Sequence, residues 1–65
     1  MDYKAELDKI SKAIQEHKAN SKNVIFVKMT TRFYHRLCIA VGRNVHYIEG
    51  VHVVIDNAVD DWQLY

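Results

Sequence analysis

The sequence predicts a single small α+β domain over residues 1–65, in the order α-β-α-β-β with a further short strand at the C-terminus, both helices packed on one face of a small sheet. Three observations carry this. Apolar residues recur at helical spacing from Asp2 to about Ala19 and again from Arg32 to Val41. β-branched runs occupy Asn23 to Met29 and Val45 to Asp56. Gly50 then splits the second run into the two arms of a hairpin.

In the first helix, Tyr3, Leu7, Ile10, Ile14 and His17 lie on one stripe, with Ala13 beside them. Asp2 is placed to cap its N-terminus, Asp8 and Lys12 form an i, i+4 pair in the favourable order, and Asn20-Ser21 supplies a stop. The opposite face mixes both signs of charge, so the stripe reads as a core face rather than a membrane face. Asn23 to Met29 is apolar on both of its faces and is expected in the interior of the sheet or covered twice, with Phe26 in the core. Thr30 or Thr31 caps the second helix, whose inward stripe is Phe33, Leu37 and Ala40 or Val41, and Gly42 suits a left-handed C-cap.

A two-residue turn at Glu49-Gly50 pairs Ile48 with Val51, Tyr47 with His52, His46 with Val53 and Val45 with Val54. Strand alternation then puts His46, Ile48, Val51, Val53 and Ile55 on the core face, and Val45, Tyr47, His52 and Val54 on the other. That second face is more apolar than a solvated one and is expected to be covered. Asp56-Asn57 breaks the strand, and Trp62-Gln63-Leu64-Tyr65 alternates like a short edge strand or a docking segment.

Composition bounds what such a domain can be. At 65 residues folding buries only about 60% of the unfolded surface, so 49% hydrophobic content with no Pro and two Gly predicts a folded chain with apolar surface to spare, and hence an oligomer. One Cys fits a reducing cytoplasm. The charged N-terminal segment does not read as a signal peptide, and no apolar run approaches the roughly 20 residues that span a bilayer, so no membrane partner is expected.

Net charge is +1, but it is segregated: His17 to Ile48 carries six bases and no acid, and Glu49 to Tyr65 carries four acids and no base. These blocks are suited to neutralising each other within the fold or across a dimer, or to presenting opposite faces to different partners.

Catalytic and metal chemistry find little support. His17, His35, His46 and His52 fall on different elements or faces with no His-x-x-x-His or Cys-x-x-Cys spacing, so no metal site or cofactor is expected. Cys38 sits mid-helix among apolar residues, the carboxylates form no evident facing pair, and two glycines make neither a phosphate loop nor a dinucleotide fingerprint. The chain is not expected to be an enzyme. Arg32, His35, Arg36 and Arg43, with Lys28 at the preceding strand end, form a basic patch suited to phosphates or an acidic protein.

From the second helix onward the chain resembles small bacteriophage or prophage-encoded accessory proteins. The residues that carry the likeness are Tyr34, Leu37, Ile48, Gly50, Val51, Val53, Ile55, Asp56 and Trp62-Gln63-Leu64-Tyr65. Ala58-Val59 stands where such proteins often have a Pro. The resemblance covers about the last forty residues and implies a role exercised by binding, in the cytoplasm of a host cell.

The leading expectation is therefore a non-catalytic interaction protein, such as a phage-encoded inhibitor or accessory factor. It would be dimeric and bind a host protein or assembly through Tyr47, His52, Val54, Trp62 and Tyr65, because aromatic side chains anchor interfaces. Two alternatives stand beside it. One is nucleic-acid binding by the basic patch, and the other is a small, nucleotide-like ligand held at a dimer seam by Tyr47, His52 and Arg residues.

Overall fold

The computed structural model describes residues 2–65. Its elements are α1 (Tyr3–Ala19), β1 (Phe26–Met29), α2 (Thr31–Val41), β2 (Tyr47–Ile48), β3 (Val51–Ile55) and β4 (Trp62–Leu64). The strands form one mixed sheet in the order β2-β3-β1-β4, with β1 parallel to β3 and antiparallel to β4. This is the small α+β fold that the sequence predicts.

The helices begin and end where local chemistry dictates. The Asp2 carboxylate accepts from the backbone N–H groups of Lys4 and Ala5, two donors that the first turn leaves without intrahelical partners. Thr30 Oγ1 accepts from Phe33 N–H at 3.1 Å in the same way. At the other end of α2, Gly42 adopts φ 75° and returns its N–H to the Cys38 carbonyl, a left-handed cap that costs glycine no steric penalty.

The core lies between the helix layer and one sheet face. Ile10 and Ile14 of α1 and Phe33 and Leu37 of α2 meet Val27, Met29, Ile48 and Val51, and Tyr3 packs edge-on against Phe33 with ring centroids 5.3 Å apart. Register places Val53 and Ile55 on this face beside Val27 and Met29, with Trp62 and Leu64 flanking from β4. Val59, in the β3–β4 loop, is also buried. That loop is pinned to the start of α2: Asn57 Oδ1 accepts from Thr31 N–H at 2.8 Å, its Nδ2 donates to Thr31 Oγ1, and Thr30 N–H donates to the Asp61 carbonyl.

Several expectations are corrected. Val45 is 1% exposed and belongs to the core, while His46 is exposed. Pairing ends at His46, whose carbonyl accepts from Val53 N–H, and Val45 lies in the irregular stretch before it, free to turn inward. Ile55, at the end of β3, is 44% exposed although it faces the helix side. β1 starts at Phe26 rather than Asn23, and it is interior to the sheet but covered on one face only.

The hairpin turn falls at Glu49-Gly50 and pairs Ile48 with Val51 and Tyr47 with His52 as the sequence predicts, while the expected pair of Val45 with Val54 is not made, and the turn stores strain. Glu49 (φ 52°) and Gly50 (φ 76°) are both left-handed, as a type I′ turn requires, yet glutamate disfavours that region. Lys18 Nζ donates to the Glu49 carbonyl at 2.7 Å and ties the turn to the end of α1. Because this bond uses only backbone of residue 49, Glu49→Asn keeps it. The substitution is expected to raise unfolding free energy by roughly 0.5–1 kcal/mol in chemical denaturation. Asn57→Ala removes both side-chain bonds to Thr31 and is expected to cost about 1–2 kcal/mol in the same measurement.

Candidate interaction surface on the helix-free sheet face

With both helices on one side of the sheet, the residues between the core positions stand on the other. On β1 these are Phe26 and Lys28, on β3 His52 and Val54, on β2 Tyr47 and on β4 Gln63. The chain continues past β4 so that Tyr65 and Phe26 exchange both backbone hydrogen bonds, 3.1 and 2.9 Å long, which sets their side chains on the same face.

The register aligns Tyr47 with His52, His52 with Phe26 and Phe26 with Tyr65. Four rings thus form one row across β2, β3, β1 and the residue that follows β4. Tyr47 and His52 are 4.5 Å apart at their centroids and tilted by 53°, and Phe26 and Tyr65 stack at 5.8 Å and 26°. Tyr47 is 55% exposed and Tyr65 44%, and Val54 extends the apolar surface behind the row. An aromatic row of this kind is an unusual thing to leave to water.

Lys28 stands beside the row. Its Nζ lies 4.4 Å from the Tyr65 centroid, 5.5 Å from that of Phe26 and 3.0 Å from Asp56 Oδ2. The ammonium is thereby neutralised and drawn onto the rings, so the face as a whole is apolar and close to electrically neutral. Partly exposed ion pairs contribute at most about 1 kcal/mol, so this one orients Lys28 more than it stabilises the fold.

The row differs from the site expected from sequence at three residues. Phe26, expected in the core, is one of its central rings. Trp62 is on the other side of the sheet, opposite Met29 and half-buried against the core, so it shares no surface with Tyr47, His52, Val54 and Tyr65. Lys28 is parted from Arg32, His35, Arg36 and Arg43: it stands on the helix-free face, whereas they are exposed on or just after α2 in the opposite layer. Of these misplacements, that of Phe26 had a signal in the sequence. It is two residues from Lys28, so any strand that turns Lys28 outward turns Phe26 outward as well.

Among the described residues there is no enclosed pocket and no group of three or more His, Cys, Asp or Glu side chains close enough to share a metal ion. No described helix is long and apolar enough to cross a membrane. The chain matches no protein-family model, no curated protein and no solved structure.

Asp56 of this surface titrates below its ordinary value. Its carboxylate accepts from Ala58 N–H at 2.9 Å and pairs with Lys28, and these interactions, the backbone bond first, hold its pKa below the usual aspartate value of 3.8. A depressed native pKa means that the contribution to stability is complete above the unfolded value and is lost as pH falls through the native one. Denaturation midpoints of the wild type are therefore expected to drop below about pH 4. Asp56→Asn keeps a side-chain oxygen for Ala58 but removes the charge, and is expected to flatten that part of the profile.

Proposed function

We propose that this chain is a small non-catalytic interaction protein that docks on a protein surface through the helix-free face of its sheet. The observation that carries the reading is the ring row of Tyr47, His52, Phe26 and Tyr65, backed by Val54 and left without intramolecular cover. Interface centres are enriched in aromatic side chains and depleted in charge, which is the character of this face.

The arrangement of the rings favours protein over single-stranded nucleic acid as the occupant. A base stacks on a free ring face beside cations that follow the backbone. Here Phe26 and Tyr65 stack on each other, the Lys28 ammonium sits 4.4 Å from the Tyr65 centroid, and that ammonium is already paired with Asp56. A host protein is the partner that the resemblance to small phage-encoded proteins implies, and a second copy of the chain is another occupant of the same apolar face.

A double variant, Tyr47→Ser with Tyr65→Ser, separates docking from folding, because both rings stand on the surface outside the core. It is expected to keep the wild-type far-ultraviolet circular dichroism while losing the proteins that a tagged wild-type chain retains from a host lysate. Light scattering on the purified chain at micromolar concentration identifies the occupant: a dimer that the double variant converts to monomer assigns the face to a second copy. Unchanged partners and an unchanged oligomeric state in the double variant would overturn the proposal.

A further inference from the structure

The outward face of α2 is a second surface, in the layer opposite the ring row. All three arginines of the chain, Arg32, Arg36 and Arg43, are exposed here, while all six lysines lie elsewhere. Arg32 and Arg36 are one helical turn apart, Ile39 continues the same side of the helix, Arg43 follows just beyond the Gly42 cap, and His35 flanks them. Thr30 and Gly42 close the helix at both ends, and Phe33 and Leu37 seat it on the core, so the stripe is carried on a fixed support.

The charge of this stripe is not consumed inside the fold. The ion pairs among the described residues are Lys9–Glu6 and Lys28–Asp56, so none of the three guanidinium groups has a carboxylate partner within 4.0 Å. Of the four acids from Glu49 onward, Asp56 is taken by Lys28. Asp61 lies at the N-terminal end of α2, where its carbonyl accepts from Thr30 N–H, and neither it nor Glu49 nor Asp60 forms an ion pair with an arginine.

We infer that this stripe is a nucleic-acid-binding site acting on the phosphate backbone, separate from the protein-docking face. Charge complementarity is the argument. Arginine presents a planar fork of donors that matches a phosphate, and a run of phosphates meets several such forks at once without any matching of individual acids. Ile39, 67% exposed, adds one apolar contact among them. A lipid surface is a poorer fit, because an interfacial helix needs a broad apolar face and the other large apolar side chains of α2 are turned towards the core. With the two surfaces in opposite layers of the domain, nucleic acid and protein can be held at the same time.

The test is fluorescence anisotropy of the full chain with labelled single- and double-stranded oligonucleotides, titrated from 50 to 200 mM salt. Binding is expected at 50 mM salt, falling with a log–log slope of about −3 on duplex DNA, as release of counterions from about three phosphates requires. The Arg32→Ala, Arg36→Ala double variant is expected to bind at least tenfold more weakly and to lose about two units of that slope. Arg32→Lys with Arg36→Lys should restore most of the slope, and Tyr47→Ser with Tyr65→Ser should leave binding unchanged. The inference is overturned by absence of binding at 50 mM salt, by binding that the double Ala variant retains in full, or by binding to poly-glutamate or phosphatidylserine vesicles with none to either oligonucleotide.

Discussion

Alternation along the four residues of β1 sets what both sides of this domain can be. Val27 and Met29 are fully buried and receive the helix layer, while Phe26 and Lys28 point away from it. β1 pairs with β3 on one side and β4 on the other, so its register fixes which residues of the neighbouring strands accompany each set. A one-residue slip would exchange them, placing Lys28 in the core and Val27 in water, and the cost of burying an unpaired ammonium prevents it. The closed core and the open ring row are therefore two consequences of one register, and the second follows once the first is satisfied.

The fold was legible in the sequence wherever its cause is local. Asp2, Thr30 and Gly42 terminate helices through their own side chain or backbone freedom, and Glu49-Gly50 is a turn by composition, so each element is found close to its expected place. The four-strand order was not legible, because the parallel pairing of β1 with β3 joins residues about 26 positions apart through α2 and β2, and no short-range pattern reports it. Val45 shows the limit from the other side. Alternation is a property of paired backbone, and Val45 lies in the irregular stretch before β2, where burial rather than period decides its direction.

The candidate surface was legible in part for the same reason. Tyr47, His52 and Val54 belong to a hairpin whose register follows from its turn, and they stand on the helix-free face as alternation requires. Phe26 and Trp62 lie opposite to where their neighbours along the chain point, because strand alternation, not local hydrophobicity, decides which face each takes. Phe26, in the most apolar run, lies outside the core, and Trp62, in a polar C-terminal segment, lies half-buried against it. Placing Trp62 requires knowing that β4 adds antiparallel to β1, a long-range fact.

Charge is distributed between the two layers in a way that composition conceals. The basic middle and acidic end of the chain meet once, at Lys28 and Asp56, and there they make the ring-bearing face neutral. The other three acids of that end, Glu49, Asp60 and Asp61, form no ion pair with the arginines of α2, so the helix face keeps its positive charge. A single mixed surface carrying both rings and arginines would have to desolvate its charges to bury its rings. The sheet separates the two, so the force available to a partner is apolar burial on one layer and long-range attraction, weakened by salt, on the other.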